Sequence, residues 1–499
     1  MAVIDEAKKR ITQSRGGRWI SSILILAVLL AVSVYGIAVP AMWADEVATV
    51  SAANRPTATL IGLLGNIDGV HGTYYLFIHF WGSIFGFSPF SVRLPSAIAV
   101  ALTGFLTWKL ATRLYGGRVG WLSLVIVAAM PRLTWASTEA RSYAFTALIA
   151  VSMLWIFLKA TERGGSAAKL SWVAYTFISA LGTYVFIYLI LLNIAFGLWL
   201  LFAQNSLGER LKIEKLRWVV SFGVLVAVSA LILWRANSQQ HQIHWLPPVD
   251  LRTVPEVLAG QVFWMAPAMA MVANGIILVY ILGIQGRSRS QWSTDALLTL
   301  SVTVPTAIVL IYSLVKTTIY DARYFSYTAP MVAILLAAAI EKLFAPRIAV
   351  AVTLVLVLLA APAYIEFRTP GSKLTDWNRV ATAVSRVKEP GDAILYGDYA
   401  DPTPTVSRIH LAYPTAFEGL TDLSLRKPAD KTWKLFDARK TVMSTASEWQ
   451  KFHRIVLIED GTHSAADLRV IGELKKQGFK QTGHVRLEPE TVLVFARGN

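Results

Sequence analysis

The chain has 499 residues, of which 55% are hydrophobic and only 16% are charged. This composition excludes an ordinary soluble globular protein and predicts a polytopic α-helical membrane protein. The net charge of +16 does not indicate a nucleic-acid partner, because the basic residues fall largely in short loops between apolar runs. The absence of cysteine excludes disulfides and thiolate metal sites.

The apolar runs predict about eleven spanning helices, each about 20 residues long. The first run lacks a small-residue cleavage site, so we interpret it as a retained helix rather than a signal peptide. The run from 170 to 203 fits either one long helix or two. The predicted spans are residues 19–40, 91–113, 118–136, 142–159, 170–183, 184–203, 218–235, 266–284, 294–315, 325–342 and 347–364.

Basic side chains occupy alternate loops, and the positive-inside rule makes that face cytoplasmic. An odd number of spans then places residues 365–499 on the outer face. We therefore expect a multi-pass protein of the inner (plasma) membrane, with an extracytoplasmic active site and C-terminal domain. The basic residues are Lys8, Lys9, Arg10, Arg15, Arg18, Lys109, Arg113, Arg118, Lys159, Arg163, Lys169, Arg210, Lys212, Lys215, Arg217, Arg287, Arg289, Lys342 and Arg347.

The character of the chain changes after residue 364, where the apolar runs shorten and turn residues increase. Helical periodicity covers 375–387 and 465–477, and short β-rich runs cover 393–396, 454–458 and 491–495. These patterns predict two domains, a transmembrane domain over 1–364 and a small extracytoplasmic α/β domain over 365–499. The second domain has no Gly-rich nucleotide fingerprint.

Asp45 and Glu46 follow the first apolar run directly. Two adjacent carboxylates just beyond a spanning helix suit a reaction at the membrane surface, where an acid takes a proton from an acceptor hydroxyl. Asp45 also fits a simple helix-end charge. Glu46 fits a catalytic partner, a group that orients Asp45, or a solvated neighbour.

Several motifs follow one order along the membrane half of the chain. They are Asp68-Gly-Val-His-Gly-Thr-Tyr-Tyr-Leu-Phe-Ile-His-Phe-Trp, Phe85-Gly-Phe-Ser-Pro-Phe-Ser-Val-Arg-Leu-Pro-Ser, Leu114-Tyr-Gly-Gly-Arg, Trp135-Ala-Ser-Thr-Glu-Ala-Arg-Ser-Tyr-Ala and Asp321-Ala-Arg-Tyr-Phe-Ser-Tyr-Thr-Ala-Pro. This order resembles the membrane glycosyltransferases of the GT-C superfamily. It is most similar to the dolichyl-phosphate-mannose-protein mannosyltransferase-like family, which includes the lipid A aminoarabinose transferases.

The resemblance implies that residues 1–364 are a GT-C catalytic domain with a lipid-phosphate sugar donor and an outward-facing active site. The family has an acidic catalytic base in its first outer loop, and Asp45 matches that place. One motif departs from the family, which often has His-Pro-Pro-Leu-Tyr-Tyr where this chain has His71-Gly-Thr-Tyr-Tyr. Loop shape and acceptor choice are therefore not carried over from the family.

The donor's anionic phosphate needs cations and polar support on the outer face. Arg141 and Arg323 lie at the starts of helices on the predicted outer face, and Lys316 is close to Arg323 in sequence. The guanidinium group of an arginine can donate two hydrogen bonds to two phosphate oxygens. Structural ion pairs are an alternative for both arginines, with Glu139 and Asp321 as nearby acids. The full set of predicted substrate-binding residues is Asp68, His71, Tyr74, Tyr75, Glu139, Arg141, Lys316, Arg323 and Tyr324.

Other polar residues have simpler interpretations. Asp68 fits either acceptor binding or the shaping of the Asn66-Ile-Asp-Gly turn. We expect His79 to be a packed, hydrogen-bonded residue and Arg93 to anchor a helix at the membrane interface. We expect no metal site and no cofactor, since no ligand spacing is present. A divalent metal held by a histidine and an acid is the alternative.

These features predict transfer of a sugar from a polyprenyl-phosphate donor to an extracytoplasmic envelope glycolipid or polysaccharide, with inversion and Asp45 as base. Mannose is the first choice, and arabinofuranose or another pentose, glucose and aminoarabinose stay open. A protein hydroxyl is an alternative acceptor. A lipid-linked sugar transporter is the rival class, but it would favour internal repeats around a midplane site, and the sequence has no such repeat. A non-catalytic assembly protein is a third class.

Overall fold

The computed structural model describes residues 19–162, 165–202, 210–283, 289–397, 405–459, 465–487 and 490–498. Most of these residues are helical. The predicted basic segment Lys8 to Arg18 and the loop residues Arg163 and Arg287 lie outside the described residues.

Six of the described helices are long and apolar enough to cross a membrane, and five shorter apolar helices accompany them. The six are Pro89–Tyr115, Tyr143–Glu162, Leu211–Ser238, Trp292–Val315, Ala322–Leu343 and Pro346–Glu366, and the shorter ones are Trp19–Val34, Thr57–Asn66, Gly117–Ala129, Ile187–Phe202 and Pro267–Leu282. Further helices are Ala44–Ala53, Gly72–Phe85, Pro131–Ala136 and Gly165–Val185. The predicted count of eleven spans stays a prediction.

The structure interrupts one predicted span, and it separates the run 170–203 into two helices, as in the predicted division. The span 118–136 is interrupted at Met130, which is extended (φ −64°, ψ 117°) before Pro131 begins a new helix. Proline disfavours a helical conformation in the residue before it. The run 170–203 forms two helices, because Phe186 is extended (φ −159°, ψ 114°) after the first of them ends at Val185.

Contacts divide the chain into two compact units. The described residues of the first unit lie within Met1–Ile37 and Leu94–Ile365, and those of the second within Ala38–Arg93 and Glu366–Asn499. The segment predicted as the first long outer loop thus shares a unit with the C-terminal residues. The division predicted at residue 364 stays a prediction.

The first unit is built around the helix Ala329–Leu343. Every residue from Ala329 to Ile340 is buried, as expected for a helix that is apolar all round. The 3₁₀ segment Ala322–Thr328 leads directly into it. By contrast, the apolar window of Leu211–Ser238 is only 22% buried, which is typical of a helix that faces lipid.

The second unit contains a five-stranded sheet and a separate pair of strands. The strand bounds are β1 Ala393–Tyr396, β2 Thr421–Asp422, β3 Leu425–Lys427, β4 Ala438–Arg439, β5 Arg454–Glu459, β6 Phe479–Arg486 and β7 Thr491–Arg497. The order of the five-stranded sheet is β2-β1-β5-β7-β6. Strand β1 is parallel to β2 and β5, whereas β7 is antiparallel to β5 and β6. Strands β3 and β4 form the separate antiparallel pair.

The predicted small α/β domain is confirmed in outline. Strands β1, β5 and β7 lie where the sequence predicted them, and helices cover Trp377–Val387 and Ala465–Lys476. The hydroxyl of Thr375, two residues before the helix Trp377–Val387, donates to the Met42 carbonyl oxygen at 3.2 Å. Leu457, Leu493 and Trp449 belong to the buried core of this domain.

Candidate active site

The two predicted acids lie in the first turn of the helix Ala44–Ala53 but have different surroundings. Asp45 is partly exposed, whereas Glu46 is fully buried. Successive residues of an α-helix point about 100° apart, so the two carboxylates face different environments. Of the two acids, Asp45 is therefore the one that solvent reaches.

Glu46 forms a bidentate ion pair with Arg93, and both side chains are 0% exposed. The Arg93 Nε donates to Oε1 at 2.7 Å and a terminal nitrogen donates to Oε2 at 2.6 Å. The guanidinium also donates to the carbonyl oxygens of Pro40 (2.9 Å) and Ala41 (3.2 Å). Arg93 is thus a buried cross-link rather than the predicted interface anchor, and the catalytic role of Glu46 stays a prediction.

The loop before Asp45 is held by residues from the C-terminal part of the second unit. The Ala41 backbone N–H donates to the Pro370 carbonyl oxygen at 3.0 Å, and the Met42 N–H donates to the Tyr413 hydroxyl at 3.0 Å. Burial raises the pKa of Tyr413, so its hydroxyl keeps its proton. These bonds fix the start of the helix that carries Asp45.

The far end of the same helix is fixed in a similar way. The buried Arg55 guanidinium donates to the carbonyl oxygens of Thr432, Lys434 and Leu435, and the Ser51 hydroxyl also donates to Leu435. The helix that carries Asp45 is therefore attached at both ends to segments more than 300 residues later in the chain.

Asp68 shapes a turn, as one of its two interpretations predicted. Its backbone is left-handed (φ 55°), and its Oδ2 accepts a hydrogen bond from the hydroxyl of buried Tyr75 at 2.7 Å. The ring of His71 lies 5.9 Å from that of Tyr75 and is partly exposed, while Tyr74 is buried. Of this predicted group, Asp68 and His71 are partly exposed, whereas both tyrosines are buried.

His79 is a structural residue, which confirms its prediction. Its Nδ1 lies 2.8 Å from the Ala53 carbonyl oxygen and its Nε2 lies 3.2 Å from the Thr57 hydroxyl. Both ring nitrogens are thereby used to join neighbouring helices.

In the first unit, Arg323 and Asp321 form a close pair. The Arg323 Nε lies 3.0 Å from Asp321 Oδ2, and the Arg323 backbone N–H donates to Oδ1 at 3.0 Å. The guanidinium carbon lies 5.6 Å from the Trp245 ring centroid, and the side chain is 14% exposed. Arg323 thus has the ion-pair partner that the alternative interpretation named, and its partial exposure leaves room for a phosphate; its role stays a prediction.

Tyr324 belongs to an aromatic cluster next to Arg323. Its ring centroid lies 6.4 Å from that of Tyr143, 5.6 Å from Phe186 and 5.7 Å from Tyr188. Such a cluster holds Tyr324 in one orientation and offers an apolar wall to a ligand.

The other predicted cations differ in their surroundings. Arg141 is only 7% exposed and lies with fully buried Glu139 in the turn before the helix Tyr143–Glu162. Charges buried in a membrane protein are costly and usually have a function. Lys316 is exposed, and its Nζ lies 5.5 Å from the Tyr312 ring centroid.

Sequence reasoning missed Arg132. Its guanidinium lies between the rings of Trp135 (5.1 Å) and Trp264 (4.9 Å). Its Nε donates to the carbonyl oxygens of Gly260 (3.1 Å) and Gln261 (3.3 Å). An arginine inside the predicted span 118–136 was the available signal, because an ionisable residue at membrane depth indicates a special role.

Across the residues that the structure describes, no three His, Cys, Asp or Glu side chains come together in a way that could hold a metal ion. The roles predicted for the site residues rest on chain position and local contacts, and they stay predictions.

Comparison with known proteins identifies the fold. Residues 73–234 match the family model described as dolichyl-phosphate-mannose-protein mannosyltransferase. The structure is similar to ArnT from Cupriavidus metallidurans in the apo state, with 13% sequence identity, a TM-score of 0.59, and coverage of 96% of this chain and 98% of that chain. For ArnT bound to undecaprenyl phosphate, the identity is 14%, the TM-score 0.55 and the coverage 95% and 98%.

A search among curated protein sequences found no match. The family model and the solved structures nevertheless agree, and they confirm the resemblance to the GT-C membrane glycosyltransferases. The similarity of fold extends along nearly the whole chain, including the C-terminal residues.

Proposed function

We propose that this protein is a GT-C glycosyltransferase that moves a sugar from a polyprenyl-phosphate carrier to a hydroxyl group outside the cytoplasm. The similarity to ArnT, a protein also solved with undecaprenyl phosphate bound, supports a polyprenyl-phosphate donor. The observation that carries the proposal is the partly exposed Asp45, held beside a fully buried Glu46–Arg93 pair at the start of an outer helix.

Asp45 acts as the general base in this proposal. It takes the proton of the acceptor hydroxyl while the hydroxyl oxygen forms a bond to the anomeric carbon of the donor sugar. The bond from that carbon to the phosphate oxygen breaks, and the polyprenyl phosphate leaves with the electron pair. A single displacement of this kind inverts the anomeric centre.

Arg141 and Arg323 bind the donor phosphate in this proposal. Negative charge develops on the phosphate as it leaves, and cations placed there in advance stabilise the transition state. Both arginines are largely buried, so water screens their charge less than it would at a free surface. Tyr324, next to Arg323, supports the same head group by packing.

Mannose is the first choice for the sugar, and arabinofuranose, another pentose, glucose and aminoarabinose are the alternatives. The acceptor is an envelope glycolipid or polysaccharide, with a protein hydroxyl as the alternative. The protein acts in the inner membrane with Asp45 on the extracytoplasmic side. No divalent metal is assigned to the reaction.

A transfer assay on the purified protein in lipid nanodiscs tests this proposal. The donors are a panel of polyprenyl-phosphate sugars, the acceptors are extracted envelope lipids, and mass spectrometry identifies the products. We expect one sugar to be transferred, and we expect Asp45→Asn to abolish the product. Absence of transfer from every donor, together with movement of a lipid-linked sugar across the bilayer, would favour the transporter instead.

A further inference from the structure

His410, in the C-terminal part of the second unit, lies between two hydrogen-bond acceptors. Its Nε2 lies 2.9 Å from Asp437 Oδ2, and its Nδ1 lies 2.5 Å from the Ser407 carbonyl oxygen. An ionised carboxylate and a backbone carbonyl can only accept hydrogen bonds, so both ring nitrogens must carry a hydrogen for both bonds to form. These contacts therefore select the positively charged imidazolium form of His410.

The carboxylate of Asp437 is ionised in this arrangement. Burial favours the neutral acid, but the hydrogen bond and charge of His410, the charge of Arg439 and the Ala429 backbone N–H together lower the pKa of Asp437. A terminal nitrogen of Arg439 lies 3.0 Å from Oδ2, and the Ala429 N–H donates to Oδ1 at 2.7 Å. Asp437 is only 4% exposed, so water does little to replace a partner that loses its charge.

Asp437 closes a loop that holds the far end of the helix carrying Asp45. Its bond to the first residue of the segment 429–437 brings the two ends of this segment together. Backbone carbonyl oxygens inside the segment accept the three hydrogen bonds from the buried Arg55 guanidinium. Arg55 directly follows the helix Ala44–Ala53, so the closed loop fixes the position of that helix end.

The segment that carries His410 holds the near end of the same helix. Shortly after His410, the Tyr413 hydroxyl accepts the hydrogen bond from the Met42 backbone N–H at 3.0 Å. Met42 lies just before the helix that carries Asp45. The bond between His410 and Asp437 therefore joins the two segments that hold the two ends of this helix.

We propose that His410 is a positioning residue for the proposed base, and that its charged ring makes sugar transfer depend on the surrounding pH. The charged ring joins the two holding segments, whereas a neutral ring has one hydrogen for two acceptors and loses one of the bonds. Transfer should therefore fall as the pH rises through the titration of His410, whereas protonation of a carboxylate base gives the opposite slope. This inference rests on the proposed glycosyltransferase function and adds a regulation of its site.

The other charged and titratable groups around His410 have partners or types that do not titrate near neutral pH. Arg439 also lies 2.8 Å from Asp422 and packs over the Tyr396 ring, and burial raises the pKa of Tyr396 well above its ordinary value. Histidine is the side chain that ordinarily changes charge near neutral pH. The helices and turns packed around His410 further carry Asp45, Glu46 (paired with Arg93), Arg379 (paired with Asp376), exposed Arg386, and Arg408 (over the Phe436 ring).

The pH dependence of transfer by the purified full-length protein in nanodiscs tests this inference. His410→Lys keeps a donor that stays charged far above neutral pH, whereas His410→Gln cannot carry a charge. Between about pH 5 and about pH 8.5, we expect the wild-type kcat to fall about tenfold on the basic side, as for the loss of one hydrogen bond to a charged group. The KM for the donor should not change. His410→Lys should keep its kcat on the basic side, and His410→Gln should be slow at every pH.

His484→Gln is the matched control, because His484 is an exposed histidine of strand β6 in the same unit. It should leave the pH profile unchanged. A basic limb that is absent from the wild type, that survives in His410→Lys, or that disappears in His484→Gln would overturn the inference. A fall in activity that comes from KM alone would also overturn it, because a displaced base slows the chemical step.

Hydrogen exchange followed by mass spectrometry tests the link without requiring turnover. After correction for the intrinsic exchange rate, peptides that cover Ala44–Ala53 should lose protection several-fold in the wild type as the pH rises through the histidine range. The same peptides should stay protected in His410→Lys. Equal protection of the wild-type helix at both ends of the pH range would contradict the proposed link, whichever variants fold.

The two proposals fail in different ways. If transfer from every donor is absent but protection of this helix follows the charge at position 410, the proposed enzyme activity is wrong while the pH-sensitive link stands. If transfer occurs with one pH profile in the wild type and both His410 variants, the activity stands and the link is wrong.

Discussion

Removal of the Arg93 guanidinium should destabilise the second unit strongly. Arg93→Met keeps an unbranched apolar stem but removes both donors to the Glu46 carboxylate and the donors to the Pro40 and Ala41 carbonyls. Because both partners are 0% exposed, the buried carboxylate would lose its bidentate counter-charge. Breaking a buried pair in this way costs about 3–5 kcal/mol.

A double variant separates the charge effect from simple loss of packing. Replacement of a buried ion pair by apolar residues of similar size is often close to neutral. Glu46→Met combined with Arg93→Met should therefore recover most of the stability that Arg93→Met loses. The carbonyls of Pro40 and Ala41 remain without their donor, so we expect the recovery to be incomplete.

The control is an exposed pair in the same unit. Lys440 and Glu448 lie 3.5 Å apart with side chains 43% and 41% exposed, and such pairs contribute about 0–1 kcal/mol. Thermal unfolding in detergent, followed by tryptophan fluorescence and limited proteolysis, compares the variants under one heating rate. The reasoning is refuted if Arg93→Met resembles Lys440→Met, or if the double variant is no more stable than Arg93→Met.

Three further predictions concern activity and topology. Asp45→Asn should fold and bind donor yet lose about a hundredfold to ten-thousandfold in transfer rate; near-native turnover would remove Asp45 as the base. Arg141→Ala and Arg323→Ala should weaken donor binding more than acceptor binding, and lysine at either position should support donor binding poorly if the arginine contact is bidentate. Unchanged donor affinity in both alanine variants would mean that the two arginines serve only as structural ion pairs. A reporter that is active only in the cytoplasm, fused after Asn499, should be inactive. A strong reporter signal would contradict the predicted topology.

The sequence predicted the elements whose pattern is local. Strands β1, β5 and β7 are continuous apolar runs that are buried, and this pattern indicates a strand without knowledge of its neighbours. Strand β6 was missed because Phe479–Arg486 is mostly polar and exposed. Strand β6 forms because it pairs with β7, and the residues of β6 alone do not indicate this pairing.

The sequence predicts which positions carry candidate site residues, but it does not predict the contacts that those residues make. Asp45 follows from its place after an apolar run. The partnership of Glu46 with Arg93 joins residues 47 apart in sequence, and neither residue's surroundings indicate the other. Arg132 was hidden for a similar reason, since the carbonyls that it binds lie 128 and 129 residues later. Contacts at such separations arise from tertiary packing, which a single sequence does not reveal.

The attachment of the Asp45 helix to the C-terminal part of the chain sets an order of events during synthesis. Met42, just before this helix, bonds to Tyr413, and Ser51 within the helix bonds to Leu435, at separations of 371 and 384 residues. At about 5–20 residues per second, the ribosome needs roughly 20–80 s to make the second partner after the first. A nascent chain thus inserts its first helices long before its proposed base is in place, and a prematurely terminated chain would be inserted but catalytically silent.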